Sequence, residues 1–340
     1  MVRAQLLTIF LFVSFLAVKS QDIHFTQYYF SPLNTNPAYA GDFDGDYRIV
    51  GNHRSQWKAI DSKQYVTSGL SYDQNIDIYG HQIALGINFA HDQVSIGAQN
   101  QNKLEIVGSY KKTIKGHKFS GGVQFGLLHK SLNFDKFKYP NQFDMESGYF
   151  DNTGISNNQN FARNNIYRLN INAGIAWSKK ISSKIEPLVG FSLVHINTPK
   201  ESFLENEGNT FPLRKILDVN VRYYLSEKNT IIPTFIYMNQ NKAQELVWGV
   251  MLRHKVAKNK HQLFDVFGGI SSRHGFSRTY DALNLLVGGT IREFQLGISH
   301  DINTSSLSTL SGYQAAFELS LIYIAKNTKS KIYNVPCDRL

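Results

Sequence analysis

The sequence predicts an all-β protein, a transmembrane antiparallel β-barrel of about 14 strands with its N- and C-termini on the periplasmic side. Three observations predict this fold class. Short segments that alternate apolar and polar residues recur from Tyr47 almost to the C-terminus. The chain begins like an exported protein, and no later stretch is apolar enough to form a membrane helix.

The alternation is clearest in two segments. Around position 85, an apolar set interleaves with a smaller or polar set: Ile83, Leu85, Ile87, Phe89 against Gln82, Ala84, Gly86, Asn88. A second segment has its apolar set at Tyr167, Leu169, Ile171, Ala173, Ile175 and Trp177. A period of two places one set on each face of a strand, so we expect one face to meet lipid and the other a lumen.

Fourteen segments fit this pattern, and an even number closes an antiparallel barrel with both ends on one side. In chain order they are Tyr47–Trp57, Gln64–Asp73, Gln82–His91, Asn102–Lys112, His117–His129, Ile166–Ser178, Ile185–His195, Arg214–Leu225, Thr230–Asn239, Gln244–Arg253, His261–Ser271, Ala282–Thr290, Glu293–His300 and Gln314–Ile324.

The lengths of the connections test the number of strands. Bacterial barrels have short periplasmic turns and longer outer loops. With a periplasmic N-terminus, the two longest connections, Ser131–Asn165 and Ile196–Leu213, fall outside. The short ones, such as Lys179–Lys184 and Ser226–Asn229, fall inside, and Gln74–His81 is the one long exception.

The first twenty residues resemble a secretory signal. Arg3 provides a basic start, Leu6 to Val18 are hydrophobic, and small residues precede an expected cut at Ser20–Gln21. We therefore expect residues 1–20 to be a signal peptide, 21–46 a periplasmic or plug segment, 47–324 the outer-membrane barrel and 325–340 a periplasmic tail. A soluble β-sandwich or lectin-like domain is the alternative that also alternates.

Composition limits the classes of partner. The net charge of +10 is compatible with nucleic-acid binding, but much of the Lys and Arg lies in short turns such as Lys111, Lys112 and Lys115. Outer-membrane lipid and soluble proteins are therefore the expected partners, and nucleic acid is not. Cys337 is the only cysteine, so the chain can form no internal disulfide.

The first strand carries a polar face. If Tyr47 and Ile49 face lipid, a second set faces the lumen: Arg48, Asn52, Arg54 and Gln56. We expect these arginines to pair with lumenal acids such as Glu105, Asp218 or Glu318, and a selectivity filter is the alternative. Trp57, Trp177 and Trp248 are expected in an aromatic girdle or a lipid-facing wall.

Candidate catalytic and metal-binding residues are few. His129 with Ser131 imitates part of a membrane hydrolase, but no residue spacing supplies an orienting Asn or Asp. Asp42, Asp44 and Asp46 resemble the start of a calcium loop without its later bidentate acid, so a solvated approach to the first strand is favoured. Asp301 to Ser306 is expected to be a polar outer loop. We predict no catalytic residue, cofactor or metal site, and hence no enzyme.

Two terminal segments lack the strand period. Residues Gln21–Gly41 are rich in aromatic residues and proline, so they must be covered, either as a plug in the lumen or as a docking surface below the barrel. The tail Lys326–Leu340 is basic and leaves the last strand on the expected periplasmic side.

Distinctive motifs occur near both ends of the chain. They are Gln21-Asp-Ile-His-Phe-Thr-Gln-Tyr-Tyr, Asn36-Pro-Ala-Tyr-Ala-Gly41, Arg54-Ser-Gln-Trp57, Ser299-His-Asp-Ile-Asn-Thr-Ser-Ser-Leu307, Phe317-Glu-Leu-Ser-Leu-Ile-Tyr323 and the final Pro-Cys-Asp-Arg-Leu. With these motifs the chain resembles the PorP/SprF family of the type IX secretion system of Bacteroidetes. The Asn-Pro-Ala-x-Ala-Gly block is the most specific, and Asp338 stands where the family usually has proline.

The resemblance implies a non-enzymatic outer-membrane protein of type IX secretion or gliding motility. Its implied partners are a secreted adhesin, held through a C-terminal signal domain, or periplasmic secretion-ring and peptidoglycan-binding components. The candidate partner-binding residues are Tyr28, Tyr29, Asn36, Pro37, Tyr39, Arg54, Trp57, Pro336, Cys337 and Arg339. An outer-membrane channel or hydrophobic-ligand transporter remains the alternative function.

Overall fold

The computed structural model is a closed antiparallel barrel of fourteen strands in which each strand pairs with its sequence neighbours and the last pairs with the first. It describes residues 22–56, 65–94, 98–133, 148–149, 164–203, 208–259, 262–275, 278–305, 308–309 and 313–325. We call the end at which the first strand begins the near end, and the opposite end the far end.

The strands are β1 (Tyr47–Gln56), β2 (Tyr65–Ile78), β3 (His81–Val94), β4 (Gln99–Ile114), β5 (His117–Leu132), β6 (Asn165–Lys179), β7 (Ile185–Val194), β8 (Arg214–Tyr224), β9 (Asn229–Gln240), β10 (Ala243–Asn259), β11 (Gln262–Gly275), β12 (Arg278–Ile291), β13 (Phe294–Asn303) and β14 (Gln314–Ile324). The predicted antiparallel β-barrel and all fourteen strands are confirmed, and the periplasmic position of the two termini stays a prediction. At the closing seam, Arg48 is opposite Ile324 and Arg54 is opposite Glu318.

Most strands are longer than the alternation indicated, and the added length of β2 removes the one exception among the turns. β2 continues to Ile78 and β3 begins at His81, so only Tyr79 and Gly80 join them. Both residues have positive φ, 52° and 80°, as a two-residue type I′ hairpin requires. The remaining near-end connections are also short, whereas 133–164 and 195–213 are at the far end.

Helical structure in the described residues is limited to one turn of α-helix, α1 (Pro32–Thr35), and two 3-10 turns, Tyr28–Phe30 and Pro37–Tyr39. Within those residues, no helix has the length and apolar character needed to cross a bilayer.

The barrel is apolar outside and polar inside. Outward-facing Ile106, Leu169 and Val287 are 66%, 72% and 63% exposed, while inward-facing Arg54 and Glu318 are each 1% exposed. An apolar skin of this extent is unfavourable in water and favourable in lipid. The burial pattern therefore identifies the solvent of the outer face as a bilayer.

Aromatic residues mark the near-end border of the apolar skin. On the outer face the Tyr47 ring lies 5.8 Å from that of Tyr72 and 5.9 Å from that of Tyr323, which in turn is 4.9 Å from Phe294. On β5, apolar residues and glycine fill the outward positions between Phe119 and His129, a rise of about 26 Å for a strand tilted by about 40°. This height matches the apolar band of an outer-membrane barrel.

A lysine on the outer face of β4 tests the membrane assignment. We expect Ile106→Lys, in the middle of the band, to destabilise the protein by about 2–4 kcal/mol, because a charge there is held in hydrocarbon. Ile114→Lys, on the same face at the near end of β4, should cost at most about 1 kcal/mol. Denaturant titration of protein refolded into lipid vesicles measures both, and equal effects would contradict a bilayer around β4.

Candidate functional site

The residues Asp22–Gly41, here the lumenal segment, run lengthwise through the barrel from the far end to the near end. Asp22 contacts Lys103 and His195 near the far ends of β4 and β7. Phe30 packs at mid-height against Val50 and Phe267. Gly41 donates to Asp73 at the near end. The segment thus fills the lumen that the strand pattern encloses.

Proline and asparagine determine the backbone conformation in the half of this segment that approaches the near end. Pro32 and Pro37 occupy first-turn positions of α1 and the second 3-10 turn, where a missing N–H costs nothing. Asn36 precedes the second turn, and its side-chain oxygen accepts a hydrogen bond from Ala38 N–H at 2.9 Å. The Asn-Pro-Ala motif therefore builds a compact turn instead of a strand.

Side chains of the barrel wall satisfy the backbone of the segment. Asn52 donates to the Phe30 carbonyl at 3.2 Å, Gln124 to that of Leu33 at 2.8 Å and Ser192 to that of Thr35 at 2.7 Å. Buried carbonyl groups need such partners. The polar inward face of the strands thus replaces the hydrogen bonds that an irregular segment lacks.

Apolar inward residues receive the aromatic side chains. Tyr28 packs with Ile216 and Ile236, and the Phe30 ring lies 5.5 Å from that of Phe267. In both contacts the side chains of the segment and of the wall are buried. These aromatic residues therefore form an apolar core between the segment and the wall.

Glycine on the inner wall makes room for the segment. A Cβ at Gly122 would lie 2.6 Å from the Ala38 nitrogen, and one at Gly297 would lie 2.6 Å from the Phe30 ring. Neighbouring Gly121 faces outward with nothing within 4 Å. The wall is thus shaped to the segment at these points.

An ion cluster anchors the far end of the segment. The Asp22 carboxylate lies 3.2 Å from the Lys103 ammonium, 3.1 Å from His195 Nε2 and 3.8 Å from the Arg214 guanidinium. Three basic side chains therefore surround one carboxylate of the segment.

A second cluster joins the segment to the barrel seam. Glu318 on β14 accepts hydrogen bonds from the Thr26 and Gln27 backbone N–H groups, both at 2.9 Å, and from Arg54 of β1 at 3.0 Å. Arg54 also donates to Asp301 at 3.1 Å, and it hydrogen-bonds Thr26. One carboxylate therefore holds both the first strand and the lumenal segment.

A third cluster lies near the exit of the segment. Arg48 forms a bidentate ion pair with Asp73, in which Nε donates to Oδ1 at 3.0 Å and Nη2 donates to Oδ2 at 2.7 Å. Arg48 Nη2 also donates to the Tyr39 carbonyl at 3.0 Å. The Tyr39 hydroxyl hydrogen-bonds Asp218. These contacts fix the segment where it leaves the lumen.

The cavities of the barrel are unequal. Two small ones beside the segment, near His24 and near Tyr29, have volumes of about 10 Å³, the size of one water molecule. A cavity of about 1080 Å³ opens at the near end below Gly41. We call it the vestibule. The middle of the lumen is thus packed around the segment in the part of the chain that the structure describes.

The structure brings six of the predicted partner-binding residues together inside the barrel. Tyr28, Asn36, Pro37, Tyr39 and Arg54 are buried and Tyr29 is nearly so. Trp57, Pro336, Cys337 and Arg339 lie outside the described residues. Arg54 pairs with Glu318, one of the three acids expected. A partner-binding role for this set stays a prediction.

One local expectation is wrong, and one cluster was missed. Asp301, expected in an outer loop, lies in β13 and is 1% exposed. The alternation of Gln295, Gly297, Ser299, Asp301 and Asn303 was the available signal, since it continues the inward face of that strand. The cluster around Asp22 was not expected, because its members lie on β4, on β8 and in the connection after β7, with no sequence pattern linking them.

The two candidate chemical motifs form no site in the described residues. His129 engages Asn102 at 3.2 Å and Asn165 at 3.0 Å through its two ring nitrogens, so neither nitrogen is directed to Ser131. The side-chain amides of Asn102 and Asn165 come from the neighbouring strands β4 and β6, so the spacing of residues around His129 did not indicate them. Asp42 and Asp44 line the vestibule, and no group of three acids, histidines or cysteines is arranged to hold a metal in the described segments.

Comparison with known proteins places these features in a family. A family model described as "Type IX secretion system membrane protein PorP/SprF" matches residues 17–323. No curated protein matches the sequence.

Solved structures match the chain at low identity. The Pseudomonas putida toluene transporter TodX is 9% identical with a TM-score of 0.47, over 89% of this chain and 94% of that one. A bacterial polysaccharide outer membrane secretin is 8% identical with a TM-score of 0.40, over 84% of this chain and 100% of that one. At these values the likenesses carry no argument about function.

Removing the Asp22 charge should release the far end of the segment. Asp22→Asn leaves Lys103, His195 and Arg214 buried without an anion, which should cost about 3–5 kcal/mol at neutral pH.

Hydrogen exchange of residues 22–41, followed by mass spectrometry in wild type and variant, measures this difference at pH 7. Glu227→Gln in the exposed connection after β8 is the matched control and should exchange like wild type. Equal protection in Asp22→Asn and wild type at pH 7 would contradict the anchoring role.

Proposed function

The chain belongs to the PorP/SprF family of type IX secretion system membrane proteins, and from this premise we propose that it is a closed, non-catalytic docking barrel of the outer membrane. It holds a secreted surface protein, through a C-terminal signal domain, at one mouth and contacts periplasmic components of the secretion apparatus at the other. The filled lumen is the observation that carries this proposal.

A filled lumen changes what the barrel can do. At its far end the segment is held by the buried ion pair of Asp22 with Lys103, and further along by hydrogen bonds to Glu318 and Arg48, which are themselves in buried ion pairs. This packing supports a lumen without a continuous aqueous path. Removing one partner of a buried pair typically costs about 3–5 kcal/mol. A barrel with a firmly held lumenal segment can bind other proteins at the surfaces of its two mouths, while the closed sheet anchors it in the membrane.

The mouths differ in a way that suits two partners. The far end carries the long connections 133–164 and 195–213, whereas the near end has mostly two-residue turns. Short turns are typical of the periplasmic side and long loops of the outside. This supports a far mouth that meets the secreted protein and a near mouth that meets periplasmic ring or peptidoglycan-binding components.

The connection after β7 at the far mouth is ordered by contacts with itself, with β5 and with His195 of the ion cluster around Asp22. The connection after β7 contains a bridge between Lys200 and Thr210. Glu201 pairs with Lys130 of β5, and buried Phe211 lies 5.4 Å from the His195 ring. A preformed rim lowers the entropy lost when a partner binds.

An outer-membrane channel or hydrophobic-ligand transporter is the second candidate. It needs a continuous path or an apolar pocket in the lumen, and the packed segment disfavours both. Conductance separates the two functions, because a docking barrel stays closed until the segment is displaced.

Planar-bilayer recordings should therefore show no steady conductance for the wild-type protein. Gly122→Leu, which forces side-chain atoms into the Pro37–Ala38 backbone, should produce frequent openings, since overpacking costs about 1–3 kcal/mol. Gly121→Leu adds the same atoms on the lipid side and should remain closed. Steady conductance of the wild type would favour the channel.

Photo-crosslinking in cells tests the docking function. We expect a benzophenone amino acid at Lys200, in the far-end connection, to capture a secreted protein through its C-terminal domain. At Lys180, in the near-end connection after β6, it should capture a periplasmic secretion component. The same group at Leu169, on the lipid-facing wall, is the control. Identical adducts at all three positions would contradict docking at the mouths.

A further inference from the structure

Basic and aromatic side chains lie side by side on the outer face of the barrel, at the near ends of β4, β5 and β6. Phe119, where the apolar band ends on β5, is paired with Lys112 of β4 and with Trp177 of β6. One step closer to the near end, His117 is paired with Lys179. The Cβ atoms of paired residues are about 5 Å apart. These five side chains therefore form one continuous surface, here called the border patch.

The strand period separates the border patch from the vestibule, although both use the near ends of the same strands. The pairing of β4 with β5 and of β5 with β6 has no register shift. Side chains therefore alternate, so that Lys111 and Lys118 face the vestibule while Lys112 and Phe119 face outward. Phe119 is accordingly 46% exposed. The basic groups of the border patch thus meet the surroundings of the barrel instead of its lumen.

Hydrogen bonding within the border patch fixes the tautomer of its histidine. The Trp177 indole N–H donates to His117 Nδ1 at 3.1 Å. An indole nitrogen can only donate, so Nδ1 is the acceptor and the proton of the neutral imidazole is on Nε2. The His117 ring is stacked on that of Phe119, with centroids 6.0 Å apart and an angle of 9° between the planes. The imidazole is therefore held with its Nε2–H directed away from Trp177.

A second donor meets this Nε2–H group. The Lys179 ammonium nitrogen lies 2.8 Å from His117 Nε2. An ammonium group has three donor hydrogens and no acceptor, so two donors converge on one position. An anionic oxygen placed there accepts from both, and hydrogen bonds between charged groups are the stronger kind. These two groups, here the donor pair, thus have the chemistry of an anion site, and a phosphate with its several oxygens suits it.

The surroundings of the donor pair are basic. Lys112 is one strand away on the same face, and Lys115 and Lys184 are exposed in the adjoining turns. The near-end halves of the three strands, residues 107–114, 117–124 and 172–179, contain no Asp or Glu. On the next strand, β7, Glu186 pairs with Arg222 of β8 at 3.6 Å. An ammonium-bearing headgroup would therefore find no counter-charge on this face, and an anionic headgroup is favoured.

The border patch also lies where a bilayer places its headgroups, at the edge of the apolar band. Toward the middle of the band from Phe119, Gly121 is paired with Tyr110 of β4 and Ile175 of β6. A Cβ on Gly121 would meet nothing within 4 Å, whereas Tyr110 and Ile175 are 42% and 63% exposed. Gly121 is therefore the floor of a shallow groove between them, open to lipid. An anion held at the donor pair can place an attached acyl chain in this groove.

We propose that the border patch binds an anionic glycerophospholipid of the bilayer around the barrel. The phosphate accepts from His117 Nε2–H and from the Lys179 ammonium, and Lys112 adds a further positive charge. One acyl chain lies on Phe119 and in the groove at Gly121. The protein thus holds one lipid at a defined place on its wall. This inference rests on the bilayer and not on the docking function.

Trp177 provides the probe. With Trp57→Phe and Trp248→Phe it is the single tryptophan of the full-length protein, which is reconstituted into phosphatidylcholine vesicles that contain a small fraction of phosphatidylglycerol. Bromine on the acyl chains of one lipid at a time quenches the indole fluorescence when that lipid is in contact. We expect phosphatidylglycerol to bind beside Trp177 about tenfold more tightly than phosphatidylcholine, because it brings an unpaired phosphate charge to two lysines.

Two substitutions separate the donor pair from the general charge of the protein. Lys179→Gln in the single-tryptophan protein should lower the preference for phosphatidylglycerol about fivefold, since it removes one lysine at the membrane surface. His117→Phe keeps an aromatic ring beside Phe119 but removes the Nε2–H donor, and it should lower the preference by a similar factor. Lys228→Gln, in the exposed near-end connection after β8, is the matched control and should behave like the unsubstituted protein. A β-sheet circular dichroism spectrum confirms that each variant is folded.

Three results would overturn the proposal. Equal quenching of Trp177 by the two brominated lipids would show no selectivity for the anionic headgroup. Equal losses of preference in Lys179→Gln and Lys228→Gln would make the effect one of net charge. Release of brominated phosphatidylglycerol by millimolar inorganic phosphate would make the site one for free phosphate. Each result leaves docking at the mouths to be judged by its own crosslinks.

Discussion

Closure of the barrel and docking of the lumenal segment depend on the same ion pair. Arg54 and Glu318 face each other across the seam between the first and last strands. Taking both charges out of water is costly, and the cost is offset only when the remaining hydrogen-bonding capacity is used. Here the backbone of Thr26 and Gln27 and the carboxylate of Asp301 use it. The seam is therefore satisfied electrostatically only with the segment in place, so the two events are coupled.

The bilayer explains why so polar an interior is necessary. Since lipid takes the apolar face of every strand, only the polar face is left for the lumen. Fourteen strands enclose more space than their own side chains fill, and this protein fills it with a segment rich in Tyr, Phe, Pro and Asn. Glu105 illustrates the fit, because it accepts hydrogen bonds from Asn88, Asn170 and Asn172 on other strands. The lumen is thus a core built of polar side chains.

Sequence reasoning predicted what depends on local period and missed what depends on pairing between distant strands. Alternation gave all fourteen strands, and it placed Arg48, Asn52 and Arg54 on one inward face. It could not identify Asp301 as a partner of Arg54. Alternation shows whether a side chain faces inward or outward, but it does not show the position of that side chain along the barrel axis or its neighbours on other strands. The path of Asp22–Gly41 was also inaccessible, because a segment without a period carries no register. Its aromatic content indicated only that it must be covered.

The direction in which the lumenal segment runs constrains how the molecule is made. Asp22 lies at the far end and β1 begins at the near end, so the chain descends through the barrel before it turns to build the wall. A sheet that had already sealed would have to be threaded by a free end over its full height. That passage is avoided if the strands assemble around the lumenal segment and the pairing of β1 with β14 forms last. The topology thus determines the order in which segment and wall assemble.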